Sequence, residues 1–173
     1  MTPEAATPAR PALPGRATRG SGGLPDPEVL PEFYEGVPLR RALAWVVDVL
    51  LIFGMSLLAL PFTLFTALFW FPVLMLGIGF LYRWATLAGR SATLGMRLFG
   101  IQIRDADGAR LSGGTAFAHT AGYAVSVVTF PLQLVSMGAM VLTPKGQGLT
   151  DMVLGSSAIR RPDGPLHATD GTK

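Results

Sequence analysis

Apolar residues fall into three long stretches that are separated by short polar or proline-containing breaks. The first stretch covers about residues 40–60 and the second about 64–86, with Pro61 at the turn between them. Each holds roughly 20 residues, which is enough to cross a hydrocarbon core of about 30 Å. Because so few residues connect them, the pattern predicts a tight antiparallel hairpin of two membrane spans.

The third apolar stretch covers about residues 114–143 and carries Pro131 near its middle. As one tilted span it crosses the membrane once; as two short helices hinged at Pro131 it doubles back. Lys145, Arg160 and Arg161 favour the return, because basic residues stay on the cytoplasmic side. Length opposes it, because arms of about 15 residues barely cross a bilayer. We favour the return, and the single crossing stays open.

A polar insert over residues 93–112 separates the second and third apolar stretches. Ile101–Arg104 alternates apolar and polar residues, and the dipeptide Asp107-Gly108 is a turn signal, so a β-hairpin is predicted here. A lone strand needs a partner, and Leu154–Arg160 also has the composition to supply one.

The composition agrees with a membrane protein. Half of the residues (50%) are hydrophobic, only 14% are charged, and the mean hydropathy is +0.44. We therefore predict an all-α membrane protein: a helical bundle of three to four membrane segments with a small cytoplasmic β-hairpin insert. The membrane domain is predicted over residues 34–161. Residues 1–33, rich in Pro, Ala, Gly and Arg, and residues 162–173 are predicted to be disordered tails.

Basic residues flank the predicted hairpin on both sides and set its orientation. The positive-inside rule places these flanks in the cytoplasm, which predicts a multi-pass inner-membrane protein with a cytoplasmic N-terminus. The net charge of +3 then indicates contact with anionic lipids, and no nucleic-acid motif is present. The arginines concerned are Arg40, Arg41, Arg83, Arg90, Arg97, Arg104 and Arg110.

Motifs for catalysis, cofactor binding and metal binding are missing from the sequence. There is no cysteine, and no serine elbow, phosphate-binding loop or dinucleotide-binding glycine pattern occurs. His119 has no second ligand one helical turn away, so a hydrogen-bonded interfacial histidine is a better interpretation than a metal ligand. Tyr82 is predicted to be one of several aromatic residues that anchor the helices at the membrane interface. We predict no enzyme activity, no cofactor and no metal.

Asp48 lies inside the first apolar stretch, where a carboxylate costs roughly 3 kcal/mol. Arg41 is seven residues earlier, on the same helical stripe but about 10 Å away along the axis, too far for an ion pair. Each is therefore expected to meet groups from other segments. Asp48 is either a proton or cation site, or a fixed partner of an arginine from residues 83–97, which would be a structural lock.

Asp151 follows the third apolar stretch and allows two interpretations. It could cap a short helix by accepting from free backbone N–H groups. It could also meet Arg41 or Arg97 at the membrane interface. We prefer the ion pair.

Three motifs occur in a fixed order: Arg41 with Asp48, the segment Thr93-Leu-Gly-Met-Arg-Leu-Phe-Gly100, and Gln147-Gly-Leu-Thr-Asp151. Together they resemble the RDD family of small bacterial membrane proteins, over roughly residues 34–161. The resemblance implies that Arg41, Asp48 and Asp151 are the arginine and two aspartates of the family name. It also implies a secondary motif that comprises Thr93, Gly95, Arg97 and Gly100.

The chain departs from the family pattern at two positions. Met96 stands where the family usually has lysine, and Thr150 where it usually has histidine. Both departures remove ionisable groups, so a proton relay through these positions is not expected here.

Two functions follow from the sequence and the resemblance. The first is a component of membrane transport or ion exchange that uses the intramembrane Asp48. The second is an accessory or scaffold membrane protein in which Arg41, Asp48 and Asp151 form a structural lock. So few spans cannot enclose a pore alone, so transport implies a homo-oligomer or a partner membrane protein.

Overall fold

Two long helices form the body of the computed structural model, which describes residues 23–161. Helix α1 runs over Val37–Ala59 and helix α2 over Phe71–Arg90. Both belong to segments that are long and apolar enough to cross a membrane. They form the predicted hairpin, but α2 begins at Phe71 rather than near residue 64. Leu64 and Phe65 take left-handed backbone angles (φ 49° and 62°), which end any continuous helix there.

A short insert follows α2 and leads to the first strand. Ser91 takes a left-handed conformation and ends α2. Helix α3 then covers Leu94–Leu98, with the Thr93 hydroxyl accepting from the backbone N–H of Met96 as its N-terminal cap. Strand β1 covers Ile101–Arg104.

The third apolar stretch is broken into two helices. Helix α4 covers Gly113–Val128 and helix α5 covers Phe130–Leu142, with a bend of 118° between them. The break falls at Thr129, two residues before the predicted hinge. Pro131 explains its position, because a proline ring in a continuous helix clashes with the carbonyl one turn earlier but fits the first turn of a new helix.

The strand partner comes from the C-terminal region. After helix α6 (Leu149–Leu154), strand β2 (Ser157–Arg160) pairs antiparallel with β1, Ile101 lying opposite Arg160. The small antiparallel sheet that the sequence predicts is therefore present, but its second strand comes from Leu154–Arg160, the other partner considered, and not from the insert. The turn at Asp107-Gly108 forms, but the chain that follows it pairs with β1 only through one isolated bridge between Arg104 and Arg110.

This pairing settles which end of the bundle the C-terminal region occupies. Because β2 pairs with β1, the chain at Arg161 lies at the end where α2 finishes, and the Arg161 N–H bonds to the Gly100 carbonyl at 2.7 Å. The α4–α5 unit therefore doubles back, as we favoured, and does not carry the chain to the opposite end.

Part of the predicted N-terminal tail is packed against the domain. Leu24 is 4% exposed, and the Tyr34 hydroxyl donates to the Pro25 carbonyl at 2.8 Å. Gly23 lies so close to Asp107 that a Cβ would clash with the Asp107 backbone. The tail predicted over residues 1–33 thus reaches no further than residue 22. Residues 1–22 and the predicted tail at 162–173 lie outside the described residues.

The buried core sits at the strand end of the bundle. Ile101, Ile103 and Ile159 from the two strands are fully buried, together with Leu87 of α2. Towards the other end the helix surfaces are apolar and exposed, as on Leu58 of α1. Such surfaces belong in lipid, so this is a helical membrane protein whose buried core is confined to the end that carries the strands.

Candidate functional site

Asp48 is fully buried at the junction of α1, α2 and α3. Its Oδ1 accepts hydrogen bonds from the Tyr82 hydroxyl at 2.7 Å and from the Gly95 backbone N–H at 3.0 Å. Its Oδ2 accepts from the Thr93 hydroxyl at 2.7 Å. We call these four residues the Asp48 cluster. Three donors from two other elements satisfy this carboxylate, which is the requirement for a charge held away from water.

Gly95 allows α3 to lie directly on α1. A Cβ at this position would clash with the Ala44 carbonyl oxygen and would lie 2.9 Å from Asp48 Oδ1. The first contact is with backbone, which cannot move aside. The absence of a side chain therefore lets the Gly95 N–H reach the carboxylate.

We expect Gly95→Ala to lower the free energy of unfolding by about 1–3 kcal/mol, because the added methyl group pushes α3 off α1. Thermal unfolding of the purified protein in mild detergent measures this. Gly89→Ala is the matched control, since a Cβ there meets nothing within 4 Å. It should be neutral or slightly stabilising. Equal stability of both variants would contradict the close-approach argument.

Arg83 of α2 lies beside the Asp48 cluster without hydrogen bonding to it. Its Nη1 is 3.9 Å from Asp48 Oδ2, which is too long for a hydrogen bond. Its guanidinium carbon lies 4.3 Å from the ring centroid of Tyr123 in α4, a cation–π contact. Its Nη2 is buried and has no hydrogen-bond partner within residues 23–161. Arg83 is thus a buried cation that retains an unused N–H donor.

Asp151 of α6 is the centre of a second buried group, which we call the Asp151 cluster. Its Oδ2 accepts from Arg41 Nη1 at 2.6 Å and from the Gly148 N–H at 3.1 Å. Its Oδ1 bonds to His119 Nε2 at 2.8 Å and accepts from the Ser156 hydroxyl at 3.3 Å. Asp151 therefore both caps α6 and pairs with a cation, and it ties α1, α4 and α6 together.

The Asp151 carboxyl is ionised at neutral pH. Burial alone would raise its pKa, but the charge of Arg41 and the hydrogen bonds from His119 and Gly148 hold that pKa well below its usual range. An ionised carboxylate only accepts hydrogen bonds, so His119 Nε2 carries the proton between them. The other ring nitrogen, Nδ1, is buried and has no partner.

The structure separates the candidate residues into two groups. Arg41 pairs with Asp151 across the fold, whereas Asp48 meets α2 and α3. Arg97 is exposed and forms no ion pair with either aspartate. Gly100 has a positive φ of 68° and turns the chain into β1. Thr93 and Gly95 are the members of the secondary motif that reach a carboxylate.

Sequence reasoning misses two contributors to these groups. The sequence indicates Tyr82 only as an interfacial anchor and His119 only as an isolated histidine. Arg83, in contrast, belongs to the segment 83–97 that is expected to supply an arginine to Asp48. Tyr82 is close in sequence to Thr93, which is the only signal that could have suggested it. His119 is remote from Asp151 along the chain, so its contact was not foreseeable.

A cavity of about 470 Å³ opens between α1, α2, α4, α5 and α6. Members of both clusters line it, together with many apolar residues. Among residues 23–161, no group of three or more histidine and acidic side chains is arranged to hold a metal ion. The acidic and basic residues that line the cavity are Arg41, Asp48, Arg83, His119 and Asp151.

Comparison with known proteins identifies the family. No curated protein and no solved structure is significantly similar to this chain. The model of the RDD family matches residues 36–155, more than half of the chain, and that range contains Arg41, Asp48 and Asp151. This membrane protein therefore belongs to the RDD family.

Proposed function

We propose that this protein is a component of membrane transport or ion exchange, and that its solute occupies the cavity between α1, α2, α4 and α5. The observation that carries the proposal is the cavity itself. Its volume of about 470 Å³ falls in the range of small-molecule sites. Its ionisable lining lies among membrane helices, where such groups are costly and usually functional.

Asp48 has a fixed role in this proposal and does not carry a proton or cation. Three hydrogen-bond donors occupy its two oxygens, so a cation would have to displace them. Among residues 23–161, the buried side-chain atoms without a hydrogen-bond partner are Arg83 Nη2 and His119 Nδ1, and both residues line the cavity. Both atoms belong to basic side chains, which favours an anionic solute over a cation.

An accessory or scaffold function is the second candidate, and one observation favours it. The Asp48 and Asp151 clusters join most elements of the fold through internal contacts alone. Such locks need no solute. They are what a small protein requires if its task is to present a rigid surface to a partner membrane complex.

We propose an inner-membrane location with the N-terminus in the cytoplasm, because the arginines flank α1 and α2 at that end. Anionic lipids are the expected neighbours of these arginines. The two or three candidate spans in the described part of the chain do not enclose a pore, so transport also requires a second copy or a partner membrane protein. In this proposal the chain performs no catalysis and binds no nucleic acid.

Anion-driven proton flux into proteoliposomes tests the transport proposal, because the buried atoms without partners belong to basic side chains. We expect an imposed gradient of chloride or of an alkyl phosphate to change the internal pH with the wild-type protein. Ala42→Trp should reduce the flux to the level of empty vesicles, because Ala42 lines the cavity and a bulky indole would fill it. Leu50→Trp is the control: it lies on the same helix, is 65% exposed and does not line the cavity.

Two results would contradict the proposal. If wild-type protein, reconstituted as a verified oligomer, gives no flux under either gradient, the proposal of transport by this chain alone is wrong. The accessory function is then favoured. If Ala42→Trp and Leu50→Trp carry flux equally, the cavity is not the pathway. Chemical crosslinking in the vesicles establishes the oligomeric state in both cases.

A further inference from the structure

We infer that the cavity binds the anionic headgroup of an acyl-chain amphiphile, and that Arg83 recognises that headgroup. The inference rests on the proposed role of the cavity as a binding site and names the class of ligand. It follows from three observations: an incompletely paired buried cation, a second unpartnered polar atom on the same wall, and apolar walls that open towards lipid.

The first observation concerns the charges around Arg83. The formal charges of the lining arginines and aspartates cancel, but their hydrogen-bonding capacity does not. Asp48 and Asp151 already accept from internal donors on both oxygens. Arg83 makes only a long ion pair at 3.9 Å and a contact with the Tyr123 ring, and its buried Nη2 stays unpartnered. Among these four charged residues, the hydrogen-bonding capacity that stays unsatisfied within residues 23–161 is a cationic N–H donor, which favours an anion.

The second observation places a further polar atom beside Arg83. His119 and Tyr123 are four residues apart on α4, so they lie on one face of that helix. Arg83 stacks on Tyr123, and all three residues line the cavity. Nδ1 of His119 is buried without a partner. It can accept from a hydroxyl of a headgroup when the ring is neutral, and donate to an oxygen when the ring is charged.

The third observation is the apolar side of the cavity. Phe130, Leu134, Met137 and Val141 of α5 line it, yet they are 67%, 53%, 53% and 74% exposed. The cavity is therefore open along this apolar face of α5, which could accommodate an acyl chain. A small free anion would leave these walls unused, whereas an acyl chain would cover them.

The depth of Arg83 also suits a headgroup. It lies seven residues before the end of α2 at Arg90, so it is about 10 Å below that end along the helix axis. A headgroup drawn to this depth would still be close to the interface. Its chain could then run along α5 into the hydrocarbon core.

Fluorescence anisotropy of acyl-labelled phosphatidate, titrated with the full-length protein in a nonionic detergent, tests the inference. We expect saturable binding that unlabelled dioleoyl phosphatidate displaces and dioleoyl phosphatidylcholine does not. Arg83→Gln should weaken binding at least tenfold, because it removes a charge-assisted contact. Arg90→Gln, on the same helix but exposed, should stay within about twofold of wild type.

Three results would overturn the inference. The first is unchanged binding by folded Arg83→Gln, and the second is equal displacement by phosphatidylcholine. The third is displacement by millimolar inorganic phosphate, which would make the occupant a free anion.

If Arg83→Gln does not fold, Ala42→Trp provides the test, because it fills the cavity without changing a charge. Unchanged phosphatidate binding by that variant would also overturn the inference. Binding is measured in detergent and needs no flux, so its failure is distinguishable from failure of the transport proposal.

Discussion

Asp151→Asn is expected to lower the free energy of unfolding by about 3–5 kcal/mol, the usual cost of removing one partner from a buried ion pair. The change keeps the shape of the side chain but removes its charge. Arg41 Nη1, at 2.6 Å from the carboxylate, would then be a nearly buried cation without a counterion. One side of the amide would also present N–H groups to donors that now point at a carboxylate oxygen.

Thermal and denaturant unfolding in mild detergent measure the effect of Asp151→Asn. Asp107→Asn is the matched control, because it removes the same charge from an exposed turn and should change stability by less than about 0.5 kcal/mol. Arg41→Gln combined with Asp151→Asn should be less destabilising than the sum of the two single changes, since neither partner is then left alone. Strict additivity would show that the ion pair contributes little, and the Asp151 cluster would lose its role as a lock.

The local pattern was sufficient to predict the membrane hairpin and the break in the third apolar stretch. Long apolar runs and Pro131 act through short-range chemistry, hydrophobic length and the missing backbone donor, so their effects can be read directly. The order of motifs around Arg41, Asp48 and Asp151 likewise indicated the family, which the family match confirms. Each of these features depends on the local sequence of one segment, so it can be predicted without knowing how the segments pack.

The sequence favoured an ion pair of Asp151 with Arg41 or Arg97, and the structure has the pair with Arg41. Most other contacts between segments could not be predicted. Asp48 accepts from Tyr82, 34 residues away, and His119 meets Asp151 across 32 residues. No periodicity relates such positions, because tertiary packing alone brings them together. The strand pairing shows the same limit: Ile101–Arg104 could pair within the insert or with the C-terminal segment, and sequence could not rank the two options. Burial of the strand side chains against α1 and α2 decides in favour of the C-terminal partner.

His119 shows how tertiary structure can supply a group that the sequence motif lacks. The family pattern usually places a histidine directly before the last aspartate, and this chain has Thr150 there. The structure brings an imidazole to Asp151 from α4 instead. Gly122 of α4 leaves room for Thr150, because a Cβ at position 122 would lie 2.7 Å from the Thr150 side chain. The departure at Thr150 therefore does not leave Asp151 without an ionisable neighbour.

Asp48→Asn separates the two interpretations of Asp48 through the sign of its effect on stability. If Asp48 were an uncompensated carboxylate kept for carrying ions, neutralising it would relieve a cost of roughly 3 kcal/mol and stabilise the protein. If the Asp48 cluster is a lock, the change removes a satisfied acceptor and leaves Arg83 with no carboxylate beside it. We expect the second outcome, a loss of about 3 kcal/mol.

Unfolding in detergent measures the Asp48 effect, and two further variants sharpen it. Tyr82→Phe removes one of the three donors and should cost about 1–3 kcal/mol on its own. Combined with Asp48→Asn it should cost less than the sum, because the hydroxyl has then already lost its charged acceptor. Ser56→Ala is the control within α1: its hydroxyl bonds only to the Ile52 carbonyl of the same helix, so it should have a small effect. A gain in stability for Asp48→Asn would return Asp48 to the solute pathway, because a carboxylate that destabilises the fold needs a function to explain its presence.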